Sequence, residues 1–142
     1  MNENSSLHLY FMEKDERYTV NNVVIDDTVG NYISSTYLTT PVYDLTKKEI
    51  GYNVTNRHID QNGDKYVICI NSTYYIYGKG SISWQYVFEH DSSGIFYPEG
   101  GIFYPMSGVI DSTLGDYYGK NGTISLFSKE DGLIIVKIVF NN

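Results

Sequence analysis

At 142 residues the chain has room for one compact domain, and a hydrophobic content of 42% supplies enough apolar side chain for a core. Its formal charge is −7 and its only arginines are Arg17 and Arg57, which disfavours nucleic acid or an anionic membrane as partner. A single cysteine, Cys69, excludes an internal disulfide and a multi-cysteine metal site. Alanine is absent, whereas Tyr, Ile, Val, Thr and Phe, which favour a pleated surface, are abundant. With 13 glycines and three prolines as punctuation, the composition predicts strands and not long helices.

The chain breaks into short runs bounded by turn residues, and none carries a helical stripe. Residues 6–14 alternate, with Leu7, Leu9 and Phe11 on one face and His8, Tyr10 and Met12 on the other. A second strand is expected over about residues 30–38, stopping before the Thr39-Thr40-Pro41 breaker. The third covers about residues 49–59 and closes at Gln61-Asn62-Gly63-Asp64, where Asn-Gly is a strong hairpin signal. A fourth runs from Lys65 to Tyr77 and turns at Gly78-Lys79-Gly80. The fifth, residues 81–90, alternates Ile82, Trp84, Tyr86 and Phe88 against Ser81, Ser83 and Gln85. Beyond Asp91, Gly94-Ile95-Phe96-Tyr97-Pro98 recurs as Gly101-Ile102-Phe103-Tyr104-Pro105, one duplication and too little for a solenoid. Strands over residues 121–128 and 133–140 end the series, and Lys137 marks the wet face of the last. Ile134, Val136, Ile138 and Phe140 are therefore expected inward. Leu133, Ile135 and Val139 leave the opposite face apolar as well, as a subunit contact would.

About eight short antiparallel strands form either a sandwich or a closed barrel, and composition does not choose between them. Eight strands close around an interior that side chains fill or that holds one small ligand. Several segments in order bear on the choice: Leu9-Tyr10-Phe11-Met12-Glu13; Val29-Gly30; Val42-Tyr43-Asp44 followed by Ile50-Gly51; the run from Gly78 to Gln85; Phe103 to Gly108; and Gly115 to Thr123. Together, from Leu7 to about Leu126, they resemble the allene oxide cyclase and dirigent barrel superfamily, which includes small spirotetronate cyclases of the Diels-Alderase kind. The resemblance implies an all-β fold, a single eight-stranded antiparallel β-barrel of calycin-like form filling residues 1–142 as one domain. The chain departs from each branch: Phe11 stands where allene oxide cyclases carry a glutamate, Asn121 where dirigent proteins carry an arginine, and Thr123 near the late-strand tryptophan of the spirotetronate cyclases.

Glu13 shares the parity of Leu7, Leu9 and Phe11, so an inward Phe11 places it near a barrel mouth, where desolvation raises a carboxyl into a proton donor or base. The ordinary alternative is a solvated loop shared with Lys14, Asp15, Glu16 and Arg17. Trp84, Tyr86 and Phe88 form an aromatic stripe that either lines a pocket for a flat lipophilic molecule or is plain core. By the resemblance, Tyr104 is a phenol able to hydrogen-bond a substrate carbonyl; otherwise it anchors a proline-bounded edge. Phe11, Tyr37 and Tyr74 complete the candidate binding set. His8, His58 and His90 have no ligand spacing, so no metal is expected, and Cys69 reads as an inert buried thiol.

The function expected from this reading is a cofactor-free cyclase or isomerase that folds a lipophilic polyene or polyketide-like intermediate inside the barrel and promotes ring closure, [4+2] included. Catalysis would be chiefly conformational, an entropy trap worth several kcal/mol, roughly. Glu13 and Tyr104 would polarise or protonate a carbonyl. The alternatives are a non-catalytic dirigent-like or small hydrophobic ligand-binding barrel and a structural oligomer module. With no basic start and apolar run of a signal peptide, a cytoplasmic protein without membrane insertion is expected. The resemblance also implies a homo-oligomer, dimer or trimer.

Overall fold

The period-two alternation of the sequence becomes nine antiparallel strands in the computed structural model, which describes residues 5–26, 31–62, 65–91, 106–130 and 132–141. They are β1 (Ser5–Met12), β2 (Arg17–Asp26), β3 (Asn31–Tyr43), β4 (Glu49–Asn62), β5 (Lys65–Ile76), β6 (Gly80–Asp91), β7 (Met106–Gly115), β8 (Asn121–Glu130) and β9 (Leu133–Asn141). Their hydrogen-bonded order is β1-β9-β8-β7-β6-β5-β4-β3, and β3 meets β1 again. The result is a closed eight-stranded antiparallel β-barrel, with β2 extending along the same edge of β3 that β1 touches.

Closure rests on one residue pair, Tyr10 opposite Tyr43. Farther along β3, Arg17 of β2 lies opposite Thr39. Seven residue steps from Tyr10 to Arg17 are thus matched by four from Tyr43 to Thr39, and the excess is taken up by one 3-10 turn, Glu13–Asp15. β1 and β2 behave as one barrel strand interrupted at this seam. The strand expected through Lys14 therefore stops at Met12.

Pro41 does not end β3, which continues through it to Tyr43. The reason lies in the seam: Pro41 falls between Thr39, paired to β2, and Tyr43, paired to β1, where one edge of β3 carries no ladder. An edge of that kind tolerates proline. β2 and β7 were not among the expected strands. β2 pairs with β3 through a run of Asn, Thr and Val, and β7 is kinked by a bulge opposite Ser83 and Trp84.

The barrel interior is built in rungs set by register. One rung runs Thr40–Asn53–Tyr74–Ile82 across β3 to β6, and the next runs Leu38–Thr55–Ser72–Trp84. Opposite them stand Leu9 and Phe11 of β1 and Ile134, Val136, Ile138 and Phe140 of β9, all buried with the inward parity expected for the last strand. Tyr117 stacks on Phe140 at 5.6 Å and 15°, closing one end with aromatic surface. Ile135, on the outer face of β9, is already buried within the chain, flanked in register by Tyr10 and Phe127. Gly51 permits the tight curvature of β4, since a Cβ there would lie 2.0 Å from the Tyr75 carbonyl oxygen. Among the described residues no helix is long and apolar enough to cross a membrane.

Candidate functional site

The two central rungs put polar side chains where a small barrel usually stores aliphatic ones. Thr40, Asn53, Arg57 and Ser72 are all buried. Asn53, Thr55 and Ser72 satisfy one another: Asn53 Nδ2 donates to Ser72 Oγ at 2.7 Å and to the Thr73 carbonyl at 3.1 Å, while the Thr55 hydroxyl donates to Asn53 Oδ1 at 2.6 Å. Thr55 and Ser72 share a further hydroxyl contact of 2.9 Å.

These groups border an interior cavity of about 60 Å³, lined also by Phe11, Glu16, Arg57, Tyr74, Trp84 and Met106. That volume is below half of the roughly 150 Å³ that accommodates benzene in an apolar protein cavity. It admits a few waters or a small head group, not a whole polyene.

Glu16 reaches the cavity because the 3-10 turn reverses what simple alternation would give. Its amide donates to the Glu13 carbonyl at 3.1 Å, and the Glu13 amide donates to Gly132 at 2.8 Å, tying the turn to the β8–β9 connection. Burial pushes the Glu16 carboxyl up from its ordinary 4.5 to about 7, the Glu13 charge adds to the rise, and the Arg57 guanidinium opposes it. The Tyr74 phenol is raised too, chiefly by burial; its hydrogen bond with Ser72 opposes the rise and the Glu16 charge adds to it. The cavity thus joins a carboxyl that titrates near neutrality, a fixed cation and a neutral phenol. Such a set moves protons and stabilises negative charge on oxygen.

Trp84 lies on the β7 side of the cavity. A Cβ at Gly108 would stand 2.9 Å from Trp84 Cε3 and 3.2 Å from Cζ3, so the missing side chain is what seats the indole. Trp84 Nε1 is buried and has no hydrogen-bond partner among the described residues.

A second hollow, a surface groove of about 610 Å³, is lined by residues of the seam, among them Tyr10, Met12 and Tyr43. Tyr10, Met12, Tyr43, Leu45 and Leu133 give it an apolar floor, and Lys14, Asp15, Lys47 and Lys129 are among its charged groups. Phe11 borders both hollows.

Of the residues singled out from the sequence, Phe11, Tyr74 and Trp84 meet at the cavity. Tyr86 is half-buried with its ring 6.2 Å from Trp84, tilted by 48°. Glu13 is half-buried in the 3-10 turn and acts on the cavity through its charge on Glu16. Tyr37 points outward and is 51% exposed, away from the interior. Tyr104 and the Phe88 side chain lie outside the described residues. Cys69 is half-buried on the outer face, since Ile68 and Ile70 take the inward parity. Sequence reasoning missed Glu16, Arg57 and the Asn53–Thr55–Ser72 cluster. For the last, a signal existed on β4 in the alternation of Asn53 and Thr55 with Val54, but it reads as an ordinary wet face.

Among the described residues no three His, Cys, Asp or Glu side chains gather as a metal cage. No protein-family model matches the chain, and no curated protein matches it significantly.

Proposed function

We propose that the protein is a cofactor-free isomerase or cyclase in which the barrel cavity takes the polar head of an otherwise lipophilic substrate. The observation that carries this reading is the convergence of Glu16, Arg57, Tyr74 and Trp84 on one cavity inside a rigid barrel. Glu16 is the proton-transfer group, Arg57 and Tyr74 meet charge developing on oxygen, and Trp84 and Phe11 hold the head in place. Strands position Arg57, Tyr74 and Trp84 with little freedom and the 3-10 turn sets Glu16, which favours an oriented near-attack geometry. Isomerisation and ring closure conserve mass and call for no nucleophile, in keeping with the groups that line the cavity. The reading extends to a cytoplasmic homo-oligomer that acts on polyene or polyketide-like carbonyl compounds.

The test is incubation with a panel of such compounds, scoring products of unchanged mass by chromatography and mass spectrometry. The expected result is a mass-conserved product whose formation falls at least about 100-fold in Glu16→Gln, the scale of general acid–base catalysis. No product from any panel member, or equal rates in the variant, would defeat the proposal. The small volume of the cavity favours a second reading, a non-catalytic barrel for a compact ligand. Saturable change in the emission of Trp84, the only tryptophan, without product would select it.

A further inference from the structure

A buried donor without an acceptor is uncommon in folded proteins and points to a missing partner. Trp84 is 2% exposed and its indole N–H is such a donor among the described residues. The benzo edge of the ring rests toward Gly108, so the N–H edge faces away from it, and the residue lines the cavity. The nearest polar rung offers it little. Ser72, its register neighbour, already accepts from Asn53 and contacts Thr55, and Thr55 is committed to Asn53.

The indole N–H shares the cavity with the Arg57 guanidinium, the Tyr74 phenol and the Glu16 carboxyl. A guest oxygen that accepts a hydrogen bond suits the unpartnered N–H. At about 60 Å³ the space admits roughly two or three non-hydrogen atoms, a carbonyl and its α-carbon, judged against the benzene-sized cavity.

We propose that the head group recognised in this cavity is a carbonyl, whose oxygen accepts a hydrogen bond from Trp84 Nε1. This rests on the reading of the cavity as a substrate site and narrows it to carbonyl compounds with a removable α-proton. The ionised Glu16 takes that proton; the C–H electron pair becomes the enolate C=C, and the carbonyl π pair moves onto oxygen. There the indole N–H and the Arg57 charge meet it. Return of the same proton from Glu16 to another carbon of the conjugated system gives an isomer and regenerates the carboxylate.

The sole tryptophan provides one indole N–H resonance, so the whole protein can be titrated with acetone and, separately, with its hydrocarbon isostere 2-methylpropene. The expected result is a saturable downfield shift of the indole proton with acetone and none with 2-methylpropene. An unmoved resonance, which would mean that water satisfies the N–H, or the same shift with both probes, overturns the inference. Trp84→Phe, checked for folding by its urea midpoint, should bind acetone about tenfold more weakly, the loss of one neutral hydrogen bond. Unchanged acetone affinity in that variant also overturns it. Deuterium exchange into acetone in D2O separates this inference from the catalytic reading. A shifted indole without Glu16-dependent exchange supports the carbonyl site and counts against catalysis; exchange with an unmoved indole overturns the role of Trp84 alone.

Discussion

The amide of Glu16 donates to the carbonyl of Glu13 at 3.1 Å, and this single turn decides which acid the barrel takes in. Had β1 run on as an unbroken strand, Glu13 would have kept the inward parity of Leu9 and Phe11. Instead the strand stops at Met12, three residues coil, and Glu16 enters the cavity with Glu13 behind it as a like charge. The seam where the barrel closes and the acid of the candidate site are therefore one feature.

Glu16 makes stability depend on pH with a definite sign. Its folded pKa of about 7 exceeds the ordinary 4.5, so the folded chain holds this proton more tightly than the unfolded chain does. Below about pH 4.5 both states are protonated and the contribution is complete; it is lost as pH rises toward 7 and stays lost above. Discounted for partial exposure, the loss is on the order of 2 kcal/mol. Urea unfolding of wild type and Glu16→Gln at pH 5 and pH 8 checks this: the variant should gain on wild type at pH 8 by about that amount and show a flatter profile between. Parallel profiles for the two proteins would place the carboxyl in open water.

The Asn53 amide organises three hydrogen bonds inside the barrel. Asn53→Ala leaves Ser72 and Thr55 underpaired and opens a hole, so a loss of about 3 kcal/mol is expected in urea unfolding. Replacing the set together by Asn53→Leu, Thr55→Val and Ser72→Ala should recover most of that loss, because no orphaned polar atom remains. A triple variant as unstable as Asn53→Ala would show that packing, not hydrogen bonding, is the function of the cluster.

Gly108 and Trp84 compete for the same space. A methyl at position 108 meets the indole at 2.9 Å, so Gly108→Ala should cost about 1–3 kcal/mol and change the Trp84 emission maximum. Gly119→Ala is the control for backbone strain alone: its φ is +79° but nothing lies within 4 Å of the added Cβ. An emission spectrum altered by Gly119→Ala and not by Gly108→Ala would contradict the contact.

The fold was largely legible because alternation is a local property. The runs around Leu9, Trp84 and Val136 announced both their strand character and their inward faces, whereas the run around Ile70 announced only its strand character, and Cys69, read as buried, lies on its outer face. Pro41 and the Glu13–Asp15 turn were not legible, because their meaning depends on how β1, β2 and β3 share an edge, which is a long-range register. The site suffered from the same limit. Parity selected Phe11 and Trp84 correctly as inward, yet it assigned Glu13 by extrapolating a strand past its end. Arg57 was hidden by the ordinary expectation that arginine is solvated. Only the cross-strand rung beside Thr36 and Ile70 puts it inside.

The seam should also be the first part of the wall to open. β4 and β5 are joined without interruption from Gly51 opposite Ile76 to Asn62 opposite Lys65, whereas β1 and β3 share one pair. Local opening follows the number of backbone bonds and the packing that must be lost, so Lys14, Asp15 and Tyr43 should exchange amide hydrogens through a low-energy opening. Native-state exchange followed by NMR should find them at least about tenfold less protected than the amides in the middle of β4 and β5. Phe11→Ala removes the ring of a residue that borders both the cavity and the groove and should widen that difference while making Trp84 more accessible to acrylamide. Equal protection at the seam and in β4 would mean that the 3-10 turn, tied to Gly132, closes the barrel as firmly as a ladder does.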